Sequence, residues 1–223
     1  MAYVLGFIFA DGTIQDVQKS SRTCYLTLSS NDRTILEQIR KILGSEHKIY
    51  IRKPHFTTFP NGKYLSKEHF ILRIRSKLLY NDLLKFGLTP KKSLTIKFPK
   101  IPPEYLSYFI RGYFDDDGCL HLKKHLYPLV VFTSGSSKFL KGLSLNLQKA
   151  GVVPIKKITI NDYGSSAYFQ LRYGTQNSYN ILKYMYSNLE ESPFLERKYF
   201  IYRKYLEIPH RALKSNTCFY SSK

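Results

Sequence analysis

Val4-Leu-Gly-Phe-Ile-Phe-Ala-Asp-Gly12 near the start of the chain and Ile110-Arg-Gly-Tyr-Phe-Asp-Asp-Asp-Gly118 at its midpoint have the same design. Each is an apolar, helix-length run with a glycine inside it and an Asp-Gly stop. The last aspartates, Asp11 and Asp117, lie 106 residues apart in a chain of 223, which points to a duplication. A glycine inside a helix costs about 1 kcal/mol relative to alanine. Gly6 and Gly112 are therefore expected where the two helices pack against each other around a pseudo-twofold axis. A carboxylate at a helix C-terminus meets the negative end of the helix dipole. Two such acids brought together would suit a cation. One Asp-Gly is an ordinary turn signal; two, half a chain apart, on glycine-bearing apolar helices, form a much more specific pattern.

The elements around each motif repeat as well. Strand-like alternation covers Thr13–Lys19 and Thr23–Ser30, then His47–Lys53 and Lys67–Arg75, with Pro60-Asn61-Gly62 as the connecting turn. A helix capped at Asn31-Asp32 separates the two pairs. Its apolar positions Ile35, Leu36, Ile39, Ile42 and Leu43 share one face up to Gly44, and a second helix at Lys77–Phe86 stops at Gly87. After the second motif come strands at Cys119–Lys124, Leu129–Ser134, Ile155–Asn161 and Ala167–Tyr173, and helices at Ser136–Ala150, Gln176–Asn188 and Glu196–Glu207. Phe70-Ile-Leu-Arg73 aligns with Phe169-Gln-Leu-Arg172. These readings predict an α+β fold of two αββαββα halves, 1–97 and 104–223, joined by a proline-rich linker at 98–103. Each half would be an antiparallel sheet backed by helices on one face.

Lys and Arg number 35 against 16 acids, a formal charge of +19. Such an excess calls for a polyanion, and phosphates neutralised by Lys and Arg release counterions. The uncovered sheet faces are expected to form a basic saddle, with Arg52, Lys53, Arg73, Arg75, Arg172 and Tyr173 as candidate DNA contacts. No apolar run approaches the roughly 20 residues of a membrane span. Cys24, Cys119 and Cys218 form no C-x-x-C pair and read as reduced thiols of an intracellular protein. The opening sequence has no signal-peptide pattern.

Both motifs resemble the signature of the LAGLIDADG homing endonucleases, and their occurrence twice in one chain resembles the monomeric, pseudo-symmetric members. Gly-Leu-Thr-Pro-Lys-Lys-Ser at 87–93 and Pro193-Phe-Leu-Glu-Arg-Lys198 extend the likeness. The resemblance implies a site-specific endonuclease that makes a Mg²⁺-dependent double-strand break with short 3′ overhangs in a long asymmetric target, promoting mobility of a host intron or intein. Mn²⁺ is expected to substitute for Mg²⁺, and Ca²⁺ to bind without cleavage. Asp11 and Asp117 would be the metal-binding catalytic acids, and Lys92 and Lys198 basic catalytic residues, with Lys91 a weaker candidate. Ser30 and Ser134 would either orient metal-bound water or cap the helices that follow. Phe9 departs from the signature where Asp115 keeps it. The alternatives are an RNA maturase acting on a host intron RNA and a non-cleaving DNA-binding regulator. The expected location is intracellular, in a bacterial or phage-infected cytoplasm or in an organelle (mitochondrion or chloroplast).

Overall fold

The computed structural model describes residues 1–15, 24–59, 62–122, 127–162, 167–189 and 192–208. Helix α1 (Ala2–Ala10) leads into β1 (Thr13–Ile14), β2 (Tyr25–Ser30), α2 (Arg33–Ile42), β3 (Ile49–Arg52), β4 (Phe56–Phe59), β5 (Gly62–Leu65), β6 (His69–Arg75) and α3 (Lys77–Lys85). After a connector that ends in a single 3₁₀ turn at Pro103–Tyr105 come α4 (Leu106–Asp117), β7 (Cys119–Leu122), β8 (Pro128–Ser134), α5 (Ser137–Lys149), β9 (Thr159–Asp162), β10 (Ala167–Tyr173), α6 (Thr175–Met185) and α7 (Glu196–Glu207). The four-stranded sheets have matching orders, β1-β2-β6-β3 and β7-β8-β10-β9, with every pair antiparallel. The expected α+β fold of two equivalent halves is the one observed.

Helix boundaries follow the sequence signals. Asp32 accepts from the Thr34 amide at 3.0 Å and Ser76 from the Leu79 amide at 3.2 Å, satisfying amides the helices leave free. Gly44, Gly87 and Gly151 end α2, α3 and α5 at φ of +57°, +85° and +68°, backbone that residues with a Cβ avoid. Two expectations need correction. On α2 only Ile35, Leu36 and Ile39 are buried, while Ile42 at the open end is 38% exposed. Helix α6 stops at Met185 rather than Asn188, because the carbonyls of Met185 and Asn188 turn toward the buried Arg111 guanidinium.

The first half also carries a two-stranded ribbon that the sequence reading folded into one turn. β4 and β5 pair in register from Phe56↔Leu65 to Phe59↔Gly62, so the Gly62 turn signal marks the tip of an added hairpin. Residues 60 and 61 lie outside the described set.

The core is continuous across the halves. Helices α1 and α4 cross at its centre, with Tyr3, Val4, Phe7, Ile8, Phe109, Ile110, Tyr113 and Phe114 all buried. A Cβ on Gly6 would sit 2.0 Å from the Phe109 carbonyl oxygen, and one on Gly112 would sit 2.0 Å from that of Tyr3. The predicted role of the two glycines is met: only a residue without a side chain lets these backbones touch. Phe98 of the connector packs its ring 5.2 Å from that of Phe109, which ties the linker to the same core. No described helix is long and apolar enough to cross a membrane.

Candidate active site and nucleic-acid interface

Because α1 and α4 cross at their glycines and run parallel to the same end of the molecule, both motifs finish between the two sheets. Asp11 caps α1 and is exposed; the Ser29 hydroxyl donates to its Oδ2 at 3.2 Å. Asp117 is the last residue of α4. Although part of its surface is open, Asp117 is crowded by protein and by Asp11, and these raise its pKa to about 6; Lys92 and Lys198 pull the other way. Its neighbour Asp116 is raised further, to about 8, by burial first and then by Asp117 and Asp11. One oxygen of Asp116 is buried with no hydrogen-bond partner. Burial first, and the neighbouring carboxylates second, thus disfavour the ionised form of both acids.

The two lysines answer the helix dipoles. Lys92 is 6% exposed and donates to the Ala10 carbonyl at 2.6 Å. Lys198 is 3% exposed and donates to the carbonyls of Asp115 at 2.8 Å, Gly118 at 2.6 Å and Phe114. Each therefore caps the C-terminus of one motif helix, where unpaired carbonyls concentrate negative potential. Burial lowers both ammonium pKa values, that of Lys198 to about 8, against the pull of the nearby carboxylates. Neither is the solvated surface lysine that a strongly basic chain makes the default expectation. Lys91 is exposed, at φ +57°.

Ser30 and Ser134 are not the helix N-caps. Their hydroxyls accept from the amides of Asp32 and Ser136 at 3.1 Å, shaping the turn before each helix, while Asp32 and Ser136 are the caps. The serine that reaches an acid is Ser29. Strand alternation carries the signal: Ser29 lies opposite Ile71 on the face that Arg73 and Arg75 share, one residue out of phase with Leu28 in the core.

Asp115 is 1% exposed and binds across the helix pair. Its Oδ2 accepts from the Tyr3 hydroxyl and from the Leu195 amide, each at 2.9 Å, while Oδ1 has no partner. Burial lifts its pKa to about 6 against Lys198 and these hydrogen bonds. Arg111, one turn earlier and 1% exposed, donates to the carbonyls of Met185 at 2.7 Å and of Asn188 and Ser192 at 3.4 Å. Together they hold the segment leading to α7, and so Lys198, against the motif helix. An open cavity of about 580 Å³ lies on the Asp11 side, with Asp11, Ser29, Arg33, Asp116 and Arg197 among its lining residues.

Arg52, Lys53, Arg73, Arg75 and Arg172 are exposed. Arg73 lies opposite Thr27 and stacks its guanidinium 3.9 Å from the Tyr25 ring centroid. Arg172 lies opposite Val131 and donates to Gln170 at 3.1 Å. Tyr173 must be removed from the DNA-contact set. It is fully buried, with its ring 6.3 Å from that of Phe132. Since strand residues alternate faces, an outward Arg172 requires an inward Tyr173.

Residues 104–186 match the family model described as a LAGLIDADG-like domain. That match lies in the second half of the chain, whose motif the first half repeats. Among solved structures, that of I-DmoI in complex with DNA and Ca superposes over 91% of this chain and 96% of that one with a TM-score of 0.61 at 16% identity. The homing endonuclease I-WcaI bound to its DNA recognition sequence does so over 90% and 84%, with a TM-score of 0.56 at 13% identity. At such identities the likeness is one of fold. Two curated relatives are of another kind. The probable translation initiation factor IF-2 of Thermococcus kodakarensis is 30% identical over 168 residues, 72% of this chain and 12% of that protein. The RNA polymerase subunit Rpo1C of Methanocaldococcus jannaschii is 25% identical over 162 residues, 72% of this chain and 17% of that protein. The chain thus spans less than a fifth of either relative.

Proposed function

We propose that this protein is a site-specific DNA endonuclease that binds one duplex in its basic saddle and hydrolyses both strands beneath Asp11 and Asp117. The observation that carries the reading is the pairing of these two carboxylates at the ends of two crossing helices, each end capped by a buried lysine, between two sheets with arginines on their open faces. Hydrolysis needs a divalent cation at the acids, and the residues fit one. Burial and neighbouring carboxylates hold Asp116 and Asp117 above the usual carboxylate range, which a bound cation would relieve, and one Asp116 oxygen is orphaned. Among the described residues no group of three or more His, Cys, Asp or Glu side chains is arranged as a complete metal cage. That suits Mg²⁺, which takes one or two carboxylates and completes its shell with water and phosphate. When bound, the cation would activate water and stabilise the leaving oxygen. Lys92 and Lys198 fix the helix ends that present the acids and add positive field where phosphate charge develops.

The two curated relatives favour mobility as the purpose of the cut. A translation factor and a polymerase subunit have no activity in common, yet each contains a segment of about the same length that resembles this one. A segment shared by unrelated hosts is best understood as an insert, and an endonuclease is what would spread it.

The test is selection of cleaved duplexes from a random library with Mg²⁺, followed by Asp11→Asn and Asp117→Asn. The wild type should yield double-strand breaks with 3′ overhangs, and each variant should lose cleavage by at least about 10³-fold, the scale on which key electrostatic groups act, while still binding the selected site. Retained cleavage in both variants would overturn the reading.

A further inference from the structure

Two aligned strand segments, Phe70-Ile-Leu-Arg73 and Phe169-Gln-Leu-Arg172, differ only in their second residue. Ile71 lies opposite Ser29, and Gln170 lies opposite Thr133, so the two pairs occupy equivalent places in the two sheets. Ser29 is the residue whose hydroxyl donates to Asp11. Beside the corresponding hydroxyl, that of Thr133, the second half places a half-buried amide, where the first half has an isoleucine that offers no hydrogen bond.

Gln170 sits in the middle of a hydrogen-bond chain. Its Oε1 accepts from the Arg172 guanidinium at 3.1 Å and from Nδ2 of Asn161 at 3.3 Å, and its Nε2 donates to Thr133 Oγ1 at 3.2 Å. A guanidinium only donates, so Arg172 dictates which end of the amide is oxygen and leaves the NH₂ for Thr133. Thr133 Oγ1 is then the acceptor, and its own proton remains to be given. Every link donates in the same sense, from the guanidinium to the hydroxyl, and such a chain polarises its last donor. That last donor stands at the second acid. The Tyr113 hydroxyl donates to the Thr133 carbonyl at 2.6 Å, and burial first and the Asp117 charge second raise the pKa of that same phenol. Ser29, the counterpart of Thr133, lies 3.2 Å from its own acid.

We infer that Gln170 is a positioning residue of the second centre: it holds the Thr133 hydroxyl with its proton turned toward the phosphate at Asp117, where a fixed donor stabilises the charge that develops in cleavage. The inference rests on the nuclease reading above. It makes the two centres unequal in how their hydroxyls are set. Ser29 is held by its acid directly, whereas Thr133 is held by Gln170 and, through the amide, by Arg172 on the open face of the sheet. An isoleucine in place of Gln170, as at position 71, would leave Thr133 free to rotate among its rotamers.

The test uses the full chain with Mg²⁺ and a duplex selected by the wild type, carrying a different label on each strand, in single-turnover cleavage. Gln170→Leu removes the donor with little change in bulk. It should slow the cut on the strand at Asp117 about tenfold, the scale of one hydrogen bond, and leave the other strand within about twofold. Nicked duplex should accumulate, while the affinity for the site, measured with Ca²⁺, should change by less than about threefold. Thr133→Val should slow the same strand, and adding Gln170→Leu to it should slow that strand no further, because the amide acts through the hydroxyl. Equal losses on both strands, no loss, or additive losses in the double variant would overturn the inference while leaving the nuclease reading intact. A wild type that cuts no duplex would overturn both.

Discussion

At their crossing, the two motif helices share a backbone and divide the chemistry. The 106-residue offset that maps Gly6 onto Gly112 maps Leu5 onto Arg111, Phe9 onto Asp115 and Ala10 onto Asp116, so that the arginine and the aspartate buried at the crossing both come from α4. Tyr3 meets Asp115 through a 2.9 Å hydrogen bond. The pseudo-symmetric contact, Phe109 with Phe9, is two rings edge to face with centroids 5.5 Å apart. The difference teaches that the fold needs the glycines and the apolar filling in both copies, whereas the polar network is needed only where a long segment, from Met185 to Lys198, must be held.

The comparison can be broken most forcefully on its apolar side. Phe9 packs on Phe109 and, with centroids 6.5 Å apart, on Phe139. Phe9→Ala should therefore destabilise by about 3–5 kcal/mol, as for other buried phenylalanines, measured by urea unfolding. Gly6→Ala and Gly112→Ala should each cost about 3 kcal/mol, the upper range for forcing an atom into a packed interior. The two losses should be equal, since each new Cβ meets a carbonyl oxygen at the same 2.0 Å. A tolerated alanine at one glycine alone would show that the crossing is not symmetric in solution.

The acids give the next test. Folded-state pKa values of about 6 for Asp115 and Asp117 and about 8 for Asp116 lie above the ordinary 3.8, so between pH 4 and 8 the folded protein holds more protons than the unfolded chain. Their contribution to stability is complete below pH 4 and is lost as pH rises through 6 to 8. Lys198, lowered from 10.5 to about 8, acts above that window, where stability recovers with pH. Without metal, the thermal midpoint should fall from pH 5 to 8, and Asp116→Asn, which mimics the protonated form, should remove part of the fall. Added Ca²⁺ should raise the midpoint more at pH 8 than at pH 5, and less in Asp11→Asn.

Much of this was legible in the sequence because its signals are local. The motif glycines, the cap at Asp32, and the stops at Gly44 and Gly87 each depend on a few neighbouring residues, and each was found where it was expected. Lys92 and Lys198 were located, but the carbonyls they cap are about 80 residues away in sequence, so their chemistry could not be read from spacing. The Arg111 and Asp115 contacts to the 185–195 segment were hidden for the same reason. Tyr173 and Ser29 are different: alternation removes Tyr173 from the open face and puts Ser29, rather than Ser30, on it. The β4–β5 hairpin was missed because its residues alternate around no buried face, leaving periodicity nothing to detect.

The finest test exchanges the chemistry of the two diagonals. Tyr3→Phe gives the first helix the residue its counterpart has at 109 and removes one donor from a buried carboxylate whose other oxygen is already unpaired. Hydrogen bonds to charged groups are worth about 1.5–3 kcal/mol. The raised pKa of Asp115 makes part of the folded population neutral near pH 6, which places the expected loss at pH 7 near the lower figure and makes it smaller still at pH 5. Phe109→Tyr adds a hydroxyl facing Phe9, with no acceptor across the helix pair, and should cost at least as much at both pH values. If Tyr3→Phe were pH-independent, Asp115 would act only through shape, and the two diagonals would be equivalent in chemistry as well as in backbone.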